Sequence, residues 1–481
     1  MKSSHECREN CGVIGVSNDG GTVSPMIYYG LLALQHRGQE STGIGTFDGK
    51  KIYLKKAVGL VNEAFSMESL AQLPGKVGIG HNRYSTAGES TLDDASPFMI
   101  NYPHKGIVLA HNGNIVNALE LRKTIAEGGT SLFSCCDSEV VLQLFGEELR
   151  RTRDMFKAVE NLMGKLEGGY SVAAFSGEGD LIAFRDPLGF RPLSYSQNNG
   201  LFVVASESVA FDINDLNMTG DVAPGELIVA NEKGVERKKV GKTEKPKHCM
   251  FEYVYFSRPD SILDGKFVYD VRIRLGQKLA KKFDRGGDVI VPVPDTARPA
   301  AEGFARETGI PVAEGLIKNR YALRTFIIPG QSQRDRAVRI KLNALKPVIA
   351  GKKVILIDDS IVRGTTSRSI VNLVRKAGAE KVHVQITCPP LVGPCPYGID
   401  ISSYSELVAY NHTVDEINKI LNSDTLTYQD IEGLVESIGL PKEELCLACL
   451  TNEYLTRRAQ AICDKMRSSA SFDKRRYWEI E

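Results

Sequence analysis

The sequence predicts two domains of different construction: an α+β domain of mostly antiparallel strands, then an α/β domain built on a parallel sheet. Two observations carry this. Short β-type runs separated by turn residues fill the first half, and a buried apolar strand, a glycine turn, a helix and a second strand follow one another in the second half. Length agrees, since 481 residues at about 150 per domain suggest two or three domains.

In the first half the β-type runs fall at 11–16, 77–81, 107–111, 170–175, 180–184 and 201–205. Between them an amphipathic pattern at 138–149 sets Val140, Val141, Leu144 and Phe145 on one helical face. Residues 232–248 hold seven Lys or Arg and almost no large apolar side chain, which reads as a solvated loop or linker. In the second half Val354-Ile-Leu-Ile357 is continuously apolar, as expected of a strand buried on both faces. A helix is expected over about 366–377, ended by Gly378 in the left-handed conformation. Val382, Val384 and Ile386 then alternate as the next strand, which completes a βαβ unit.

Composition excludes several classes. With 60 Lys+Arg against 59 Asp+Glu, no global field recruits nucleic acid or an anionic membrane, so neither partner is expected. No run of 18 apolar residues marks a membrane span, and MKSSHECREN is too polar for a signal peptide. A reducing, cytoplasmic setting is expected. Ten cysteines in this length are too sparse for a disulfide scaffold.

The most specific string is Asp358-Asp359-Ser360-Ile-Val-Arg363-Gly364-Thr365-Thr366 at the end of the apolar strand. Two carboxylates there can accept from a vicinal diol or help hold Mg²⁺. The glycine and hydroxyl turn that opens the helix makes a cradle for a phosphate dianion. This run resembles the phosphoribosylpyrophosphate (PRPP) motif of the type I phosphoribosyltransferases. The resemblance implies that Asp358 and Asp359 hold the ribose hydroxyls and Mg²⁺, and that 360–366 hold the 5′-phosphate. It makes Pro294-Asp295-Thr296 the pyrophosphate loop, with Thr296 near the metal. The stretch 318–341, with Lys318, Arg320 and Arg324 at its start, holds seven Lys or Arg against one acidic residue. Set between two phosphate loops, it reads as a flap that closes on pyrophosphate and excludes water.

The first half carries a second set: Cys11-Gly-Val-Ile-Gly, Arg37, Arg83 in His-Asn-Arg-Tyr-Ser-Thr, Asn112-Gly113-Asn114, and Asp137 after Cys136. A thiolate attacks an amide well only with a base for its proton and donors for the oxyanion. If residues 1–10 are removed as a propeptide, the α-amino group of Cys11 can be that base. Asn112 and Gly113 can form the oxyanion hole. Arg83 and Asp137 offer the charges that an amino acid's α-carboxylate and α-ammonium require. The set resembles the N-terminal-nucleophile (class II) glutamine amidotransferases, which implies a layered αββα fold and adds Arg37 to the glutamine-binding residues.

Cys446 and Cys449 form a CxxC pair that Cys249 and Cys395 can complete; from spacing alone, structural zinc, a [4Fe–4S] cluster and unligated thiols all remain open. Cys388 competes for the same role. The domain order resembles the glutamine PRPP amidotransferase family. That resemblance implies glutamine hydrolysis at Cys11 and transfer of ammonia to PRPP, giving 5-phosphoribosylamine in purine synthesis. It also implies feedback by purine nucleotides and a homotetramer. One branch of the family has a propeptide and a [4Fe–4S] cluster on cysteines matching Cys249, Cys395, Cys446 and Cys449, which favours the cluster here. The expected divisions are propeptide 1–10, glutaminase 11–231, a linker with one cluster ligand at 232–260, and transferase 261–481 with a helical C-terminal region. A sugar-phosphate amidotransferase would lack the PRPP loop, and a PRPP-sensing repressor would replace the amidase set with a DNA-binding module.

Overall fold

The computed structural model describes residues 11–84, 91–101, 105–242, 245–319 and 342–468. The expected propeptide, with Cys7, lies outside them, as do Arg320, Arg324 and nearly all of the expected flap.

The first half forms two antiparallel sheets, of seven and six strands among the described residues. The strand Gly12–Asn18 lies inside the first sheet, between Val77–Arg83 and Leu201–Ala205. Its side chains alternate between two apolar environments, which is why its sequence is continuously apolar. Val13 meets Val108, Ala110 and Phe175 of the second sheet. Ile14 and Val16 face Ile27 and Leu31 of the helix Ser24–Ala33. On the far side, the helix Asp137–Thr152 lays Val140, Val141, Leu144 and Phe145 on Leu109, Val172 and Phe184. Helix, sheet, sheet and helix make four layers, as the αββα expectation requires.

Among the described residues the second half carries a parallel sheet of four strands, in the order Val289–Pro292, Lys353–Asp358, Lys381–Ile386, Thr425–Tyr428. Val354 and Leu356 point into one core, Ile355 and Ile357 into another. Helix Thr365–Lys376 connects two of these strands, and Gly378 beyond it has φ +97°. The βαβ unit stands as expected.

Part of the expected loop or linker at 232–248 is a strand: Gly234–Lys239 pairs with Glu226–Asn231 as the edge strand of the six-stranded sheet. Its lysines are exposed along that edge, where charge discourages pairing with another chain. The later part of the expected linker is partly buried. Met250, Phe251, Tyr253 and Val254 lie in the transferase core, and Glu252–Phe256 forms one turn of π-helix between the halves. The strand Ser41–Phe47 is hard to read from the sequence because Gly43 and Gly45 interrupt its branched residues Thr42, Ile44 and Thr46. A Cβ on Gly43 would stand 2.4 Å from the Ser96 carbonyl oxygen, so close approach of backbone excludes a side chain there.

Candidate functional site

Cys11 is fully buried at the head of its strand. Its N–H donates to Asn112 Oδ1 at 3.2 Å, and its carbonyl accepts from Arg37 Nε at 3.1 Å. Arg191 Nη2 also donates to Asn112 Oδ1, at 3.4 Å. Two donors on one oxygen fix the amide's orientation and leave Nδ2, which is buried and has no hydrogen-bond partner among the described residues. Gly113 follows at φ +144°, where a Cβ would stand 1.9 Å from the Gly169 carbonyl oxygen. Only glycine closes this strand pair.

The structure gives Arg37 a different place from the one expected. Its guanidinium is fully buried, bonded to Glu207 and to both carboxylate oxygens of Glu252 (2.8 and 3.2 Å), with its carbon 4.5 Å from the Phe256 ring centroid. Burial opposes its charge, but Glu252 and Glu207 more than offset this and raise its pKa. Arg37 therefore braces the Cys11 main chain and is not presented to a substrate carboxylate. We expect Arg37→Met to cost about 3–5 kcal/mol by leaving two buried carboxylates short of a partner. A denaturant melt checks this; a wild-type midpoint would contradict it.

Arg83 is fully buried at the end of Val77–Arg83, in the sheet that holds Cys11. Asp137, the first residue of its helix, accepts from the Ile115 N–H at 2.9 Å and lies 3.5 Å from His111 Nε2. Burial pushes its carboxyl up, but His111 and the Ile115 N–H outweigh that and hold it below the usual range. Its Oδ1 is buried with no hydrogen-bond partner among the described residues. Burial, helped by the charges of His111 and Arg83, pushes the His81 imidazole down to about 3, so it is neutral at pH 7.

At the carboxyl ends of the parallel strands, Asp359 accepts from Ser360 Oγ at 2.6 Å and from Thr296 Oγ1. Its N–H donates to Asp358 Oδ1 at 2.9 Å. Burial, then the neighbouring Asp359 charge, pushes Asp358 well up; burial also raises Asp359. Gly364, at φ +73°, turns the chain into the helix on which Thr365 and Thr366 lie in the first turn. Asp295 pairs with Lys318 Nζ at 2.8 Å, so the expected pyrophosphate loop meets the first residue of the expected flap. Arg363 Nη2 pairs with Glu406 Oε1 at 2.6 Å.

Cys249, Cys395, Cys446 and Cys449 line one small cavity together with Phe190, Phe251 and Tyr397. A short parallel pairing sets Cys249 beside Cys446. Cys388 does not line this cavity; its N–H donates to the Asp359 carbonyl at 2.9 Å. The described cysteines form no disulfide.

Sequence reading passed over Arg191, Glu207, Glu252 and Arg272. Arg272 is buried and donates to the carbonyls of Tyr253 (2.9 Å) and Ser257 (2.7 Å), so it holds the π-helical turn from the transferase side. These residues come from distant segments and meet only in the fold. His111 alone had a local signal, being the first letter of His-Asn-Gly-Asn.

The fold and its two sites define a glutamine amidotransferase joined to a phosphoribosyltransferase. Residues 81–212 match the glutamine amidotransferase domain family, and residues 259–406 the phosphoribosyl transferase domain family. The chain is 45% identical to the amidophosphoribosyltransferase of Methanothermobacter thermautotrophicus, over 95% of this chain and 96% of that one. It is 42% identical to that of Bacillus subtilis, over 93% and 94%. A solved structure of glutamine PRPP amidotransferase from B. subtilis, complexed with ADP and GMP, superposes with a TM-score of 0.86 at 40% identity, covering 93% of this chain and 98% of that one. The chain belongs to the amidophosphoribosyltransferase family, and its reaction is glutamine-dependent amidotransfer to PRPP in purine biosynthesis.

Proposed function

We propose that Cys11, made N-terminal by removal of residues 1–10, is the nucleophile of glutamine hydrolysis. The α-amino group takes the thiol proton, the thiolate attacks the carboxamide, and ammonia leaves behind a thioester that water opens to glutamate. Asn112 Nδ2 and the Gly113 N–H hold the oxyanion; Arg83 and Asp137 hold the substrate's α-carboxylate and α-ammonium. The observation that carries this reading is the Asn112 amide, fixed by the Cys11 N–H and Arg191 so that a buried donor is left over beside the nucleophile.

Ammonia then passes inside the protein to the second site and displaces pyrophosphate at C1 of PRPP. An internal route matters because ammonia in water at neutral pH is mostly unreactive ammonium. Asp358 and Asp359 orient the ribose hydroxyls, and Ser360, Arg363, Gly364, Thr365 and Thr366 receive the 5′-phosphate. Asp295, Lys318, Arg320 and Arg324 stand on the pyrophosphate side. The raised carboxyls of Asp358 and Asp359, with Thr296 against them, suit a Mg²⁺ ion. Mg²⁺ bound there supplies charge neutralisation for the departing pyrophosphate.

The four thiols, two buried (Cys395, Cys446) and two half-buried (Cys249, Cys449), are soft donors of the type that iron–sulfur clusters use. Four thiols lining one cavity can serve zinc or a [4Fe–4S] cluster alike, and the resemblance to the cluster-bearing branch of the family favours the cluster. We place the chain in the propeptide and cluster branch, as a cytoplasmic homotetramer regulated by purine nucleotides. The relative solved with ADP and GMP supports nucleotide regulation, and no helix of the described residues is long and apolar enough to cross a membrane. We also propose a glutaminase division that begins at 11 and takes in the edge strand Gly234–Lys239, and a transferase division over 261–481, joined by a segment whose Met250, Phe251, Tyr253 and Val254 are buried.

Anaerobically purified protein is expected to show an intact mass beginning at Cys11, broad visible absorption, and iron and sulfide in equal amounts. Cys446→Ser is expected to lose the absorption. A colourless protein holding one zinc would overturn the cluster, and a retained leader would overturn the α-amino base.

A further inference from the structure

The cysteine-lined cavity and the glutamine site share a wall. The strand Ile107–Ile115 places Asn112 and Asn114 on one face, two residues apart. Asn114 is buried, and its Nδ2 donates to the Pro396 carbonyl at 2.9 Å across 282 positions of sequence. Pro396 follows Cys395 in a turn of the transferase half. Gly398, at φ +106° in the same turn, lies so close to Gly113 that a Cβ on it would stand 3.0 Å from the Gly113 carbonyl carbon. A Cβ on Gly169, the neighbour that crowds Gly113, would stand 3.1 Å from the Tyr397 carbonyl oxygen. Tyr397 stacks on Phe190, with centroids 4.2 Å apart. Phe190 precedes Arg191, which bonds Asn112. The oxyanion strand is thus pressed and bonded from the side of the other half.

We propose that the turn 395–398 of the transferase half is the template for the oxyanion hole of the glutaminase half, and that Asn114 is the positioning residue that ties them. The inference rests on the roles assigned above to Cys11, Asn112 and Gly113. Asn114 touches no reacting atom. It sets the register of its strand against a fixed carbonyl, so that Gly113 N–H and Asn112 Nδ2 point at one place. A small misplacement of oxyanion donors lowers turnover more than substrate binding.

Two variants test it, one in each half. Asn114→Ala removes the tie, and Gly398→Ala pushes the turn against Gly113. Each is expected to lower the glutamine-dependent kcat about 10-fold or more, with KM for glutamine and the ammonia-dependent rate within about twofold of wild type. The Gly398→Ala result is the diagnostic one, because it changes a transferase residue and reads out in the glutaminase. Wild-type glutamine turnover in both variants, or equal loss of the glutamine- and ammonia-dependent rates, would overturn the proposal. Should one variant not fold, the other decides. Failure of the underlying reading is distinguishable, since it would show as glutamine turnover in Cys11→Ala whatever these two variants do.

Discussion

Cys11→Ala is expected to abolish the glutamine-dependent reaction while the rate with added ammonia stays near that of the native enzyme. The substitution removes the thiol and changes little else, because Cys11 is held by its main chain: the N–H on Asn112 and the carbonyl on Arg37. Loss of a nucleophile that acts with its base as a unit costs about 10⁶-fold in turnover in a well-studied hydrolase, so no glutamine turnover above background is expected. The transferase half owes nothing chemical to the thiol, so its site accepts ammonia from solution. Pyrophosphate release from PRPP with glutamine or with ammonium salts checks both statements. Loss of both rates would contradict the separation of the two sites.

Replacing both carboxylates, Asp358→Asn with Asp359→Asn, is expected to give the opposite pattern. Amination should fall by about 10²-fold or more with either nitrogen source, as when a group that stabilises developing charge is removed. Glutamine hydrolysis at Cys11 should persist, measured as glutamate formed. The wild-type pair also carries a pH signature. Burial raises both carboxyls, with mutual repulsion adding to Asp358, so the folded chain holds these protons more tightly than the unfolded chain. A raised carboxyl contributes its stability fully below the ordinary carboxylate range and loses it as pH rises through the folded value. A bound cation restores what is lost. Mg²⁺ with PRPP should therefore raise the thermal midpoint more at about pH 8 than at about pH 5.5, and the Asn variants should flatten that difference. A gain independent of pH would contradict the assignment of the cation to these two residues.

What the sequence makes legible follows the physics of burial. Strands packed on both faces, such as Gly12–Asn18 and Lys353–Asp358, announce themselves as apolar runs because every side chain meets a core. The two short strings around Cys11 and Asp358 are legible for a different reason: one strand end supplies several groups of the same site, so they stay together in sequence. Gly43 and Gly45 hide a strand because the crowding that demands glycine has no one-dimensional trace. The lysines of Gly234–Lys239 mislead because an exposed edge strand has the composition of a loop. Arg37 misleads more instructively. Its two carboxylates, Glu207 and Glu252, lie 170 and 215 positions away, so its neighbourhood exists only after folding. The contacts of Asn114 with the transferase turn are hidden in the same way.

The two sites are proposed to act on one nitrogen atom. This proposal is tested most directly by following glutamate and pyrophosphate together, with glutamine as the only nitrogen source and PRPP present. Both are expected in a one-to-one ratio in the native enzyme, and neither in Cys11→Ala. Pyrophosphate released by Cys11→Ala with glutamine alone, or glutamate formed by the native enzyme with no pyrophosphate beside it, would contradict it.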